Sequence, residues 1–78
     1  MQYQLEQWQY QAWEKAERRY WIILQQNLFG QWLVLCRWGV TDSKRGGQLE
    51  RLCDSYEAGL HLVQSAEKRR KQRGYRRL

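Results

Sequence analysis

Arg19-Tyr20-Trp21-Ile22-Ile23-Leu24-Gln25 and Gln31-Trp32-Leu33-Val34-Leu35-Cys36-Arg37-Trp38 are the stretches that decide the fold. Both are rich in aromatic and β-branched residues, which suit a pleated surface. In the first, Tyr20, Ile22 and Leu24 share one face, and Trp21 and Ile23 the other. An apolar character on both faces predicts a strand central to its sheet. In the second, Trp32, Val34, Cys36 and Trp38 point one way, and Leu33, Leu35 and Arg37 the other. Asn27-Leu28-Phe29-Gly30 between them reads as a turn, with Gly30 free to take a positive φ.

Working outward, residues 8–12 alternate. Trp8, Tyr10 and Ala12 fall on one face and Gln9 and Gln11 on the other, which predicts a half-buried strand with the aromatics inward. Glu14-Lys15-Ala16-Glu17 has no strong strand former and reads as a connection. Gly39 to Gly47 is a polar loop, and Gln48 to Cys53 a shorter strand with Leu49 and Cys53 inward. Asp54 followed by Glu57 has capping-box spacing, so a helix is expected from about Asp54. Ala58, Leu62 and Ala66, with Gly59 and Val63, form its apolar stripe, and Leu60 falls off that stripe toward solvent. Gly74 stops it. The expected fold is therefore α+β, an antiparallel sheet of about four strands with one C-terminal helix packed on it.

The chain has 78 residues, the size of one small domain, and no proline. Five Trp and five Tyr supply buried area that a core this small otherwise lacks. Residues 1–6 read as an N-terminal extension and 74–78 as a basic tail. The two cysteines, Cys36 and Cys53, are too few for a disulfide framework or a zinc site, and read as reduced, buried, small apolar residues. The longest apolar run, Trp32 to Cys36, is far too short to span a membrane. With no signal-peptide pattern, the expected location is the cytoplasm.

The net charge of +6 is one-sided. Residues 1–42 hold four bases and four acids, whereas residues 43–78 hold ten bases and four acids. Such asymmetry bears on partners rather than on fold and points to an anionic one. Residues 68–78 hold seven bases and no acid: Lys68, Arg69, Arg70, Lys71, Arg73, Arg76 and Arg77. The five arginines suit fork-shaped recognition of phosphate. A solvated helix end, an acidic protein or an anionic membrane are the competing readings. The membrane reading is the weakest, because only Tyr75 and Leu78 are interleaved apolar groups.

A second basic element is Ser43-Lys44-Arg45-Gly46-Gly47-Gln48, where glycines admit close approach to a phosphate. It reads equally as a flexible hairpin loop, and it lacks the Walker pattern. Trp38, ahead of Gly39 at a strand end, is either an exposed stacking platform or a core residue on the Trp32 face. Trp8, Trp13, Trp21 and Trp32 read mostly as core or sheet-surface packing, with Trp13 and Trp21 the nearest to solvent. His61 has no partner residue and reads as helix surface. Glu14 and Glu17 do not make an acid–base pair, and Cys36 lacks a nucleophile signature. No catalytic residue, metal ligand or cofactor site is expected, and the chain is not read as an enzyme.

In order, Arg19-Tyr20-Trp21-Ile22-Ile23-Leu24, Leu28-Phe29-Gly30-Gln31-Trp32, Arg37-Trp38-Gly39 and Arg45-Gly46-Gly47-Gln48 resemble a WGR domain. The closing Lys68 to Tyr75 resembles the basic end and Gly-Tyr of bacterial single-domain members. The resemblance covers roughly residues 8–76. In place of the family's third tripeptide residue, arginine, stands Val40, so no role of that arginine carries over. The resemblance implies an antiparallel sheet with one helix. By analogy with the WGR domains of DNA-damage-activated poly(ADP-ribose) polymerases, it implies DNA binding, the tryptophan packing on the sugar of a terminal nucleotide.

Together these readings predict a nucleic-acid-binding module, DNA favoured over RNA, that recognises ends or backbone structure. Trp38 and Gly39 would form the platform with Arg37, Lys44 and Arg45 around it, and Lys68 to Arg77 would hold phosphates. The alternative is a protein-interaction module, homodimeric in one version, that docks through exposed aromatics and Leu60. Neither a membrane partner nor a small-molecule substrate is expected.

Overall fold

A computed structural model describes residues 3–41 and 43–78. Met1 and Gln2 of the expected extension and Asp42 of the expected loop lie outside the described residues. The fold is α+β: a short 3-10 turn (Leu5–Gln7), strands β1 (Gln9–Lys15), β2 (Arg18–Gln26), β3 (Trp32–Val40) and β4 (Gly46–Cys53), helix α1 (Tyr56–Gln72), and a two-residue strand β5 (Arg76–Arg77). The sheet is antiparallel throughout, in the order β4-β3-β2-β1-β5, with β2 in the middle as its two apolar faces require.

Register places Trp13, Tyr20, Trp38 and Gly47 side by side on the face that α1 covers. Gln11, Ile22, Cys36 and Leu49 form the next row along the same face. The core is Trp13, Ile22, Leu24, Val34 and Val63, with Trp32, Tyr56, Leu60, Leu62 and Ala66 packed around it. Leu60, expected to be exposed, is thus half-buried at the edge of this core.

The first strand is turned over relative to the expectation. Tyr10 is 64% exposed on the uncovered face, while Trp13 is buried at 2%. The reason is Gln11, whose carboxamide is satisfied inside: Oε1 accepts from Trp13 Nε1 at 3.1 Å and Nε2 donates to Glu67 Oε1 at 2.6 Å. A buried amide with both ends bonded costs little, and it frees the larger Trp13 to fill the core. Glu14 and Lys15, expected in a connection, extend β1, and the turn shrinks to Ala16-Glu17, with Ala16 at φ 53. Asn27 builds the next turn. Its Oδ1 accepts from the backbone N–H of Phe29 and Gln31, and Gly30 takes φ 77 as expected.

The helix start also differs. Ser55, not Asp54, is the N-cap: its hydroxyl accepts from Ala58 N–H at 3.1 Å, so no Asp54–Glu57 capping box forms. Its end follows the expectation, with Gly74 at φ 84. Gly74 N–H donates to the Lys71 carbonyl and Tyr75 N–H to the Arg70 carbonyl, the paired bonds of a Schellman motif. The chain then reverses, and Arg76 and Arg77 of the expected basic tail form β5 on the outer edge of β1. Cys36 and Cys53 are free thiols, half rather than fully buried, and burial pushes the Cys53 thiol pKa up. Among the described residues, no helix is long and apolar enough to cross a membrane.

Candidate nucleic-acid interface

Trp38 sits near the end of β3, two residues before the strand stops. It is on the helix-bearing face yet beyond the helix cover, and 43% of it is exposed. Its indole stacks on the Tyr20 ring, with centroids 6.1 Å apart and planes 14° from parallel. The other support is Gly47. A Cβ there would lie 2.8 Å from the indole Cζ2, so only glycine lets the ring lie across the strand.

The Schellman turn completes the aromatic wall. It carries Tyr75 back over the last turn of α1, edge-on to Tyr20 at 6.3 Å. Between the two rings lies Arg70, its guanidinium carbon 4.0 Å from the Tyr20 centroid and 4.8 Å from that of Tyr75. Arg70 is only 8% exposed, and its buried Nε has no hydrogen-bond partner. Burial, with a hydrogen bond to Cys36 second, pushes the Tyr20 phenol up to about 12, so it stays neutral at physiological pH. The nearby Arg70 and Arg69 charges pull the other way and do not prevail.

These groups line a groove of about 370 Å³ with Arg18, Arg19, Arg45 and Val40, and among the described residues no acidic side chain lines it. Arg19 is partly engaged, 3.5 Å from Glu14. The β3–β4 loop is tied in place: Thr41 N–H donates to the Glu17 carbonyl at 2.7 Å, and Ser43 Oγ accepts from Arg45 N–H. Arg45 therefore stands beside Trp38 on an anchored loop, with Gly39 lining the same groove.

Of the residues expected from sequence, the groove gathers Trp38, Gly39, Arg45 and Arg70. Arg37 belongs to the opposite face of the sheet, beside Tyr10, Trp21 and Ile23, because neighbours along a strand point to opposite sides. Lys44 is exposed but does not line the groove. The basic C-terminal run is split. Lys68 lies with His61, Gln64 and Ser65 on the outer side of α1, while Arg69 faces the β4 side. Lys71, Arg73 and Arg77 are exposed. Arg76 is paired with Glu14, which holds that carboxyl below its ordinary value.

Arg18, Arg19, Tyr20, Val40 and Tyr75 are groove residues that sequence reading missed. Tyr75 was findable, since it follows Gly74 at the position where a Schellman turn meets the residue five before it. Tyr20 and Arg18 depend on strand register, which local pattern does not carry. No family model, curated protein or solved structure matches this chain.

Proposed function

We propose that this protein is a non-catalytic nucleic-acid-binding module, with DNA as its favoured partner, and that the Trp38 groove is its binding surface. The observation that carries the reading is Arg70, whose buried Nε has no acceptor, in the wall of a groove that has three further arginines, one of them near Glu14, and no acidic side chain among the described residues. A buried donor without an acceptor is costly, and a phosphate oxygen in the groove supplies one. The half-exposed indole of Trp38 offers a flat apolar surface to a sugar or base beside that phosphate. The resemblance to WGR domains supports the same assignment. Recognition is then of a strand end or of backbone shape, since no element here has the form of a helix reading a major groove.

The test is a titration of intrinsic tryptophan fluorescence with a short duplex bearing an open 5′-phosphate end, against a hairpin-closed control, at two salt concentrations. Preference for the open end, falling steeply with salt, supports the reading. Equal binding to both duplexes reduces it to a general polyanion binder. No binding at low salt removes it.

A second reading, a protein-interaction module, rests on the uncovered sheet face. There Tyr10, Trp21, Ile23, Leu35 and Leu52 lie on one side of the sheet with no helix over them. An interface centred on such groups responds weakly to salt, which separates it from the first reading.

A further inference from the structure

The helix covers the sheet off-centre. It packs on β2 and β3, and β4 is exposed from Gly46 to Leu52. The offset opens a cleft of about 190 Å³ between α1 and strands β3 and β4. It is separate from the Trp38 groove, although Tyr20 and Arg70 stand in the wall between them.

The cleft has two chemistries. Its floor and walls are apolar: Val34 and Cys36 from β3, Leu49 from β4 and Leu62 from α1. Its rim carries three guanidinium groups, Arg51 from β4 and Arg69 and Arg70 from α1, and no acidic side chain among the described residues. The ion pairs among the described residues use Arg19 and Arg76, so the three rim arginines have none. Arg70 contributes the buried Nε that lacks an acceptor.

A guanidinium fork matches a carboxylate in two parallel hydrogen bonds. A bare inorganic anion satisfies the forks but leaves the apolar floor against water, and a neutral hydrocarbon does the reverse. Only a molecule with both parts answers the whole cleft. We propose that this cleft binds a small organic anion, a carboxylate on a short apolar body, with the carboxylate on the Arg51, Arg69 and Arg70 rim and the body on Val34, Cys36, Leu49 and Leu62. The site shares Tyr20 and Arg70 with the Trp38 groove, while Arg51 and Leu49 do not line that groove and let the two be tested separately.

The test is calorimetric titration of the full chain with octanoate, below the concentration at which it self-associates. Inorganic phosphate serves as the anion without a body, and 1-octanol as the body without an anion. Arg51→Gln and Leu49→Gln change exposed side chains on the outermost strand, so the fold is kept, and circular dichroism checks this. Cys36 gives a second readout, since a bound body shields its thiol from iodoacetamide, and peptide mapping separates it from Cys53.

Octanoate is expected to bind more tightly than either control and to slow alkylation of Cys36. Each variant is expected to weaken it roughly tenfold, the scale of one lost charge-assisted contact or apolar wall. Absence of both heat and Cys36 protection overturns the proposal. So does unchanged affinity in both variants, or equal binding of phosphate or octanol. DNA binding measured on Arg51→Gln without octanoate reports on the other groove alone, so the two readings fail separately.

Discussion

The Arg70 guanidinium lies between the Tyr20 and Tyr75 rings, 4.0 and 4.8 Å from their centroids, with no acceptor for its Nε. Two ring contacts return about 0.5–2 kcal/mol each, whereas desolvating an ion costs several kcal/mol. Neither ring contact gives the buried Nε an acceptor in the free protein. Arg70→Met is therefore expected to leave stability unchanged or raise it by on the order of 1 kcal/mol, while weakening DNA binding. Urea unfolding and duplex titration of the same variant check both halves. A variant that loses stability and keeps its affinity contradicts the assignment.

Trp38 depends on the bare backbone of Gly47. Trp38→Ala is expected to weaken DNA binding roughly tenfold or more, the scale of about 1–3 kcal/mol for one stacked base. Gly47→Val, whose Cβ meets the indole at 2.8 Å, is expected to lift the ring off β4 and lower affinity with Trp38 still present. Tryptophan emission of the free variant reports the displacement.

Gln11 holds the polar edge of the core. Gln11→Met removes the acceptor of the Trp13 indole N–H and the donor to Glu67. An unsatisfied buried donor sets the expected loss at about 1–3 kcal/mol of unfolding free energy. A variant as stable as the parent in denaturant melts means that this network contributes nothing.

Glu14 links the tail to the sheet. Its hydrogen bond with Arg76, the largest cause, together with the Arg76 and Arg19 charges, holds the carboxyl below its ordinary 4.5. A carboxyl with a depressed folded-state pKa contributes its stability fully above the unfolded value and loses it as pH falls through the folded one. Stability is therefore expected to decline below about pH 4.5, with a shallower decline in Glu14→Gln. Thermal melts between pH 7 and pH 3 test this, and identical slopes for both proteins exclude the contribution.

The central hairpin was legible because its signal is local. Both faces of residues 20–24 are apolar, residues 32–38 alternate, and Gly30 marks the turn between them. The helix stripe around Val63 and its stop at Gly74 were legible for the same reason. The face of β1 was not. Residues 8–12 alternate convincingly with the aromatics inward, and what turns the strand over is a glutamine that finds partners 2 and 56 positions away. β5 escaped notice because two arginines form a strand only when an open edge of β1 lies beside them.

By itself, the sequence determined an antiparallel sheet with one C-terminal helix and a basic second half. Periodicity, glycine placement and charge are properties of neighbouring residues, and they act before the chain has folded. Only the tertiary structure decided which bases are available together. Strand register put Tyr20 and Trp38 side by side and sent Arg37 to the other face. The helix end rolled Tyr75 over Arg70, and the sheet edge tied Arg76 to Glu14. A run of like charges in the chain thus became one buried guanidinium, one ion pair and several solvated groups, because burial and pairing depend on distance in space and not along the sequence.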